Sequence, residues 1–300
     1  MKEIVVISGK GGTGKTSVVA SFAAIADRLV LADCDVDAAD LHLLLQPKVQ
    51  ERGEFSGGRR AEIRQEDCNG CGVCRTSCRF DAVKMKGDQA APATFMIDPI
   101  ACEGCGVCVR QCPADAIDFP EQVNGEWFVS ETRHGPMAHA RLGIAEENSG
   151  KLVGVVREKA RAIAERDGRD YVIIDGPPGI GCPVIASITG ADMVLIVTEP
   201  SLSAAHDLER VAGVAKHFGV PAAVCINKRD INHSQSARIA RLAAERGLPI
   251  IGTIPYDEVV THAQLEGKSV VEYSSNGVAD HVRSLWYEVR KRVGDDKEKN

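Results

Sequence analysis

Aromatic side chains are scarce in this chain, 4% of its residues, so stacking platforms for single-stranded nucleic acid are hard to build from it. Positive charge is not in excess either. The formal net charge is −6 at pH 7, which supplies no basic field to draw in a phosphate backbone. No apolar run approaches membrane-spanning length. The opening residues, MKEIVVISGK, lead straight into a strand pattern, with no signal-peptide h-region or small-residue cleavage site. Nucleic-acid binding and membrane contact are therefore not expected, and the expected location is the cytoplasm. What is present is ordinary for a soluble globular protein: 300 residues, 44% hydrophobic and 26% charged, enough for one large domain or a medium one plus a small one.

Cysteine is the exception. There are 11, and eight of them crowd between Cys68 and Cys112. In a small secreted protein that density would read as disulfides; inside a larger chain with no export signal, metal ligation is the better reading.

Along the chain, Ile4–Ser8 is a short β-branched apolar run that ends in a glycine-rich turn. An alanine-rich helical stretch over Ser17–Ala26 follows, then a second apolar run over Leu29–Ala32 and a cluster of aspartates. Strand, turn, helix and strand in this order predict a parallel α/β sheet. The pattern breaks near Pro47, where the chain turns polar and rich in Gly and Arg to about Arg64, and it returns slowly after Phe119. Lys151–Arg166 then predicts a helix with Leu152, Val155, Val156, Ala160 and Ile163 on one face. Tyr171–Ile174, Met193–Val197, Ala222–Ile226 and Ile250–Ile254 predict strands, with helices over Ala204–His217 and Ser236–Arg246. Because the α/β pattern starts before the cysteine block and resumes after it, an insertion into one sheet domain explains the order better than two domains in tandem. The expected division is residues 1–60 with 120–300 for the sheet domain and 61–119 for the insertion.

Gly9-Lys10-Gly11-Gly12-Thr13-Gly14-Lys15-Thr16 fits G-x-x-x-x-G-K-[ST] at every specified position, between a predicted strand and a predicted helix. Glycines let backbone N–H groups turn in around phosphate oxygens, and the following helix N-terminus adds a favourable dipole. Lys15 is expected on the β/γ-phosphates and the Thr16 hydroxyl on Mg²⁺. A turn that merely joins strand to helix would need no Lys-Thr at its end.

The loop carries a further lysine, Lys10. With K-G-G-T-G-K-T the chain resembles the deviant Walker A family, which includes MinD, ParA, the Mrp-type iron–sulfur carriers and the nitrogenase iron protein, over most of its length outside the cysteine block. The resemblance implies a P-loop ATPase, a mostly parallel sheet with helices on both faces, with nucleotide held along Gly9–Ser17. It also implies that Lys10 crosses the interface of a nucleotide-sandwich dimer to touch the partner's phosphates. Such a cation stabilises the transferring phosphoryl group only once two subunits close. By the same resemblance Asp35 positions or activates the attacking water, Asp33 and Asp175 help hold hydrated Mg²⁺, and the Gly179 N–H senses the γ-phosphate. Asp37 and Asp40 read as capping or surface carboxylates. Asn227-Lys228-Arg229-Asp230 spells N-K-x-D, which in GTPases reads guanine; in the resembled family the asparagine serves adenine, and Pro255 and Tyr256 sit where the base packs. ATP is expected rather than GTP.

Cys68-x2-Cys71-x2-Cys74-x3-Cys78 is followed by Cys102-x2-Cys105-x2-Cys108-x3-Cys112-Pro113, and the flanks repeat, CNGCGVCRTSCRFDAV against CEGCGVCVRQCPADAI. Each run has the bacterial ferredoxin spacing, in which three thiolates wrap one 4Fe–4S cluster and the fourth serves the other. That assigns Cys68, Cys71, Cys74 and Cys112 to one cluster and Cys78, Cys102, Cys105 and Cys108 to the second, in a small ferredoxin-like α+β domain. Arg79 stands where proline is usual. Paired zinc sites are the rival, but zinc needs only four ligands and does not select a doubled x2-x2-x3 pattern. Cys34 and Cys225 read as buried small apolar residues. Cys182, just past Pro178-Gly179, is either a packed thiol or an interface thiol able to bind metal, as the nitrogenase iron protein has near this region.

Asn148-Ser149-Gly150-Lys151 reads as a helix N-cap, and His134, Met137 and His139 as surface or packing residues. His281–Val293 is amphipathic; its stripe of Val282, Leu285, Val289 and Val293 more simply packs on the body than on a membrane. The residues after Gly294 read as a charged, disordered end. The whole resembles MinD-superfamily ATPases with an inserted two-cluster ferredoxin domain. That implies a nucleotide-dependent homodimer or closely related heterodimer gating electron transfer to a redox or metalloprotein partner. Alternatives are a cluster-assembly carrier and a positioning ATPase with structural clusters.

Overall fold

The structure is a computed structural model that describes residues 1–86, 94–143 and 149–294. Asn148, the first residue of the expected N-cap stretch, and the charged end after Gly294 lie outside the described residues, while Ser149, Gly150 and Lys151 begin a helix. The chain begins with β1 (Lys2–Ser8), α1 (Lys15–Ile25), β2 (Leu29–Asp33), α2 (Leu41–Leu45) and β3 (Lys48–Arg59). The cysteine block follows as β4 (Glu62–Ile63), α3 (Val73–Ser77), β5 (Val83–Lys86), β6 (Thr94–Ile97), α4 (Val107–Gln111) and β7 (Ile117–Asp118). Then come β8 (Glu121–Thr132), β9 (Gly135–Leu142), α5 (Ser149–Arg166), β10 (Tyr171–Pro178), α6 (Cys182–Ile188), β11 (Met193–Thr198) and α7 (Ala204–His217). The chain closes with β12 (Ala222–Ile226), α8 (His233–Glu245), β13 (Ile250–Thr253), α9 (Val259–Leu265), α10 (Val270–Tyr273) and α11 (Val278–Arg292). Two compact units result. The first takes in Met1–Gly53, Trp127–Leu142 and the chain from Ser149 onward; the second is built mainly of Glu54–Glu126.

In the first unit the strand order is β13-β12-β11-β1-β10-β2-β9, continued by β8 and β3, along which the chain passes into and out of the second unit. Every pairing from β13 to β9 is parallel. Strands buried on both faces need continuous apolar runs, and β1 and β11 have them: Ile4–Ile7 and Val194–Val197 are all fully buried. This is an α/β P-loop fold with a largely parallel central sheet. The hairpin of β8 and β9 and the long β3 depart from the expected break in the pattern. The first five residues of β3 are exposed, so no two-residue alternation marks it as a strand.

The carboxy-terminal helix packs as expected. Val282, Leu285, Val289 and Val293 are buried, and Trp286 lies 4.9 Å from the ring of Phe22 and 5.2 Å from that of Tyr171. Burying each such side chain stabilises the fold by about 1.5–3 kcal/mol. Among the described residues no helix is long and apolar enough to cross a membrane. On α5, Val155 is only partly buried, while Val153 and Arg157 are buried. Arg157 donates to Glu3 Oε2 at 2.6 Å and to the carbonyls of Ala186 (2.6 Å) and Thr189 (2.9 Å), and Arg161 also bonds Glu3. Burial alone would raise the Glu3 pKa, but the hydrogen bonds from Arg161 and Arg157 hold it below the usual value.

The second unit repeats itself. Gly70, Gly72 and Asp81 have positive φ, and so do Gly104, Gly106 and Asp115, each 34 positions further on. Short helices α3 and α4 start after Gly72 and Gly106, and two small antiparallel ladders, β4 with β7 and β5 with β6, flank them. Its buried core is small: Ala61, Cys74, Val83, Phe95 and Ile117.

Candidate functional site

The phosphate loop joins β1 to α1 at the carboxyl ends of the parallel strands. There β1 lies between β10 and β11, and the chain order reverses about it, which is where open α/β sheets bind ligands. Gly14 caps α1 at φ 88°, a left-handed turn that suits glycine. Gly9 is required by close approach: a Cβ there would stand 2.3 Å from Asp207 Cβ at the start of α7.

Beneath the loop, Asp33 at the end of β2 is in register with Asp175 of β10. Lys15, the first residue of α1, reaches Asp175 on β10 and Asp35 two residues past β2. Its Nζ lies 2.7 Å from Asp175 Oδ1, 3.3 Å from Asp35 Oδ2 and 3.4 Å from Thr16 Oγ1. Burial disfavours the Lys15 charge, yet the carboxylates of Asp175 and Asp35 outweigh it, and the pKa is raised. Burial, reinforced by Asp175, pushes Asp33 well above the usual carboxylate range, and burial raises Asp35 against the pull of Lys15. Asp33 Oδ1 accepts from the Asp35 N–H, but the buried Oδ2 atoms of Asp33 and Asp175 have no hydrogen-bond partner among the described residues. Two buried oxygens left without donors suit a hydrated cation, so these residues fit Mg²⁺, an ion that takes few protein ligands and completes its shell with water and phosphate.

The other expected residues are placed as follows. The Gly179 N–H, at φ 94°, donates to the Ser8 carbonyl at 2.9 Å. Lys10 Nζ lies 2.7 Å from Glu199 Oε1, just past the end of β11. The Asn227 amide donates to the Thr13 carbonyl at 2.8 Å, and Lys228 to that of Gly12 at 3.0 Å, so both side chains brace the loop. Ser17 accepts from Gln264, near the end of α9, at 2.8 Å. Pro255 is partly buried, Tyr256 is half exposed, and the Tyr256 N–H donates to Asp230 Oδ1 at 2.7 Å. Glu199 escapes the sequence reading. Its only signal is position, at the end of a buried strand level with the loop.

The cysteines separate into two sets. Cys68, Cys71, Cys74 and Cys112 line one cavity with Ile63, Phe95 and Ile117, and Cys78, Cys102, Cys105 and Cys108 line another with Ala61, Val83 and Ile97. In each set three thiols come from one half of the repeat and the fourth from the other. The Ala116 N–H points to Cys112 Sγ at 3.4 Å. Among the described residues no three His, Cys, Asp or Glu side chains converge to hold a single metal ion. Thiols spaced around a cavity, rather than around a point, suit a polynuclear group more than a lone zinc. Cys34 and Cys225 are fully buried; burial pushes the Cys225 thiol up to about 12. Cys182 is exposed, and Gly150 passes so close that a Cβ there would lie 3.1 Å from Cys182 Cβ.

A profile of the CobQ/CobB/MinD/ParA nucleotide binding domain matches residues 4–270. An uncharacterised protein of Methanocaldococcus jannaschii is 32% identical over 97% of this chain and 97% of its own length. Among solved structures, the septum site-determining protein MinD of Pyrococcus horikoshii, complexed with Mg-ADP, is similar with a TM-score of 0.60 and 18% identity over 99% of each chain. An ATP complex of a variant McdA from Cyanothece gives 0.57 and 17%, over 100% of this chain and 99% of that one. At these identities the two structures speak for the fold.

Proposed function

The chain belongs to the CobQ/CobB/MinD/ParA nucleotide binding domain family, and on that footing we propose that it is an ATP-hydrolysing switch. On this reading it closes as a dimer and is coupled to two 4Fe–4S clusters, gating electron transfer to a redox or metalloprotein partner. The observation that carries the coupling is that one chain holds both a complete phosphate loop over buried carboxylates and two cavities each ringed by four thiols.

In hydrolysis Lys15 would leave Asp175 and Asp35 for the phosphates, and Thr16, Asp33 and Asp175 would hold Mg²⁺, which supplies charge neutralisation there. Asp35, freed from Lys15, would orient the attacking water. The Gly179 N–H would exchange the Ser8 carbonyl for a γ-phosphate oxygen. ATP is favoured over GTP because the rest of the chain follows the ATPase group of the family. Cys68, Cys71, Cys74 and Cys112 would hold one cluster and Cys78, Cys102, Cys105 and Cys108 the other, in an inserted domain over about residues 61–119. Bound there, the clusters supply reversible one-electron transfer.

The test is anaerobic: titrate the purified protein with a low-potential reductant and follow EPR with and without Mg-ATP. Two reducible clusters whose spectra or potentials shift with ATP are expected. Clusters that reduce without regard to nucleotide would favour a positioning ATPase with structural clusters, the reading that the likeness to a septum site-determining protein supports. Loss of cluster iron to an apo-acceptor would favour assembly, in which exposed Cys182 is the available thiol.

A further inference from the structure

Glu199 begins the turn that follows β11, and two cations share its carboxylate. Oε1 lies 2.7 Å from Lys10 Nζ and Oε2 lies 2.9 Å from Lys228 Nζ. Lys228 in turn donates to the Gly12 carbonyl. One acid therefore ties the first lysine of the phosphate loop, the loop backbone and the end of β12 together. The carboxylate is only 19% exposed. Burial alone would favour its neutral form, but the hydrogen bonds from Lys10 and Lys228 hold its pKa below the usual value.

A lysine whose charge is bound within its own protomer is not available to an anion on another molecule. Lys10 is partly exposed at the loop's outer side, so exchange needs no unfolding, only a competing anion. Glu199 is not left with a bare charge when Lys10 departs, because Lys228 remains on its other oxygen. That second cation keeps the exchange inexpensive. We infer that Glu199 is a positioning residue that holds Lys10 in cis, to be displaced when a phosphate group of a second copy arrives. The inference rests on the reading of the chain as an ATP-dependent dimer.

The experiment is sedimentation velocity of the full chain over a range of protein concentrations with Mg-AMPPNP. Glu199→Gln keeps the shape and removes the charge. It should lower the monomer–dimer midpoint by roughly three- to tenfold, the range expected for releasing a partly exposed ion pair that withholds the competent state. Glu199→Asp, too short to hold both lysines, should shift the midpoint the same way by less, and serves if the first variant folds poorly. In a Lys10→Ala background the shift should vanish, since the two residues act through one contact. An unchanged or raised midpoint, or an equal shift without Lys10, overturns the inference while leaving the dimer intact. A wild-type chain that stays monomeric with Mg-AMPPNP at every concentration removes the dimer reading and the inference with it.

Discussion

At the phosphate loop the protein balances its own charges: Lys15 lies 2.7 Å from Asp175 on β10 and 3.3 Å from Asp35 just past β2, two buried and mutually paired strands. Around the eight cysteines the ion pairs among the described residues, Arg64 with Asp67 and Asp118 and Lys84 with Asp81, are exposed. The thiols ring two cavities, and the buried hydrophobic cluster beside them, among the described residues, is Ala61, Cys74, Val83, Phe95 and Ile117. The first site is a rearrangeable set of ion pairs on a rigid sheet. The second is a thin shell of thiols around two cavities. A core this small rarely stabilises a fold alone, whereas a bound metal group contributes its binding free energy to folding.

The sharpest way to break this contrast is to remove the iron that the proposed clusters would carry. Chelation under reducing conditions should abolish amide hydrogen-exchange protection in α3, α4, β5 and β6, while β1, β10 and β11 keep theirs. Protection retained in the cysteine unit would mean that its polypeptide core suffices.

Lys15→Ala tests the other half. It should slow ATP hydrolysis at least roughly a hundredfold, as loss of a charge-stabilising donor does. It should also destabilise the first unit by about 3 kcal/mol, because Asp175 and Asp35 lose a buried counter-ion. Steady-state hydrolysis and urea unfolding read the two effects separately. Full stability with lost activity would show that the buried carboxylates do not depend on Lys15.

A smaller effect should follow pH in the first unit alone. His139 hydrogen-bonds Ser130 at 2.8 Å and stacks on Phe128, and burial, with nearby His42, lowers its pKa from 6.5 to about 4. The unfolded chain therefore takes up a proton near pH 6.5 that the folded chain refuses until about pH 4. The stability this provides is complete above pH 6.5 and is lost as the pH falls from there through about 4, on the order of 1–3 kcal/mol. His139→Gln should flatten denaturation curves across that window, with or without iron in the second unit; an unchanged slope would place the titration elsewhere.

The two motifs were legible because their chemistry needs fixed spacing in consecutive residues. A phosphate cradle must be a short loop of backbone N–H groups, and a thiolate wrap must be a run of closely spaced cysteines. The parallel strands were legible because burial on both faces demands apolar runs. By contrast, β3 is polar along its exposed start, and Arg157 reads as part of a solvated helix face although it is buried against Glu3. That the Asn227 amide bonds the Thr13 carbonyl is likewise a contact between residues far apart in sequence.

The amino-acid order by itself determined the loop that can cradle phosphate, the doubled cysteine spacing and the α/β pattern that surrounds it, since each depends on neighbours in sequence. Only the tertiary structure decided which acid takes which base: Asp175 and Asp35 with Lys15, Glu199 with Lys10 and Lys228, Glu3 with Arg157. Those pairs join residues far apart along the chain. Ion-pair energies depend on distance and burial, and neither exists until the sheet has brought the strand ends together.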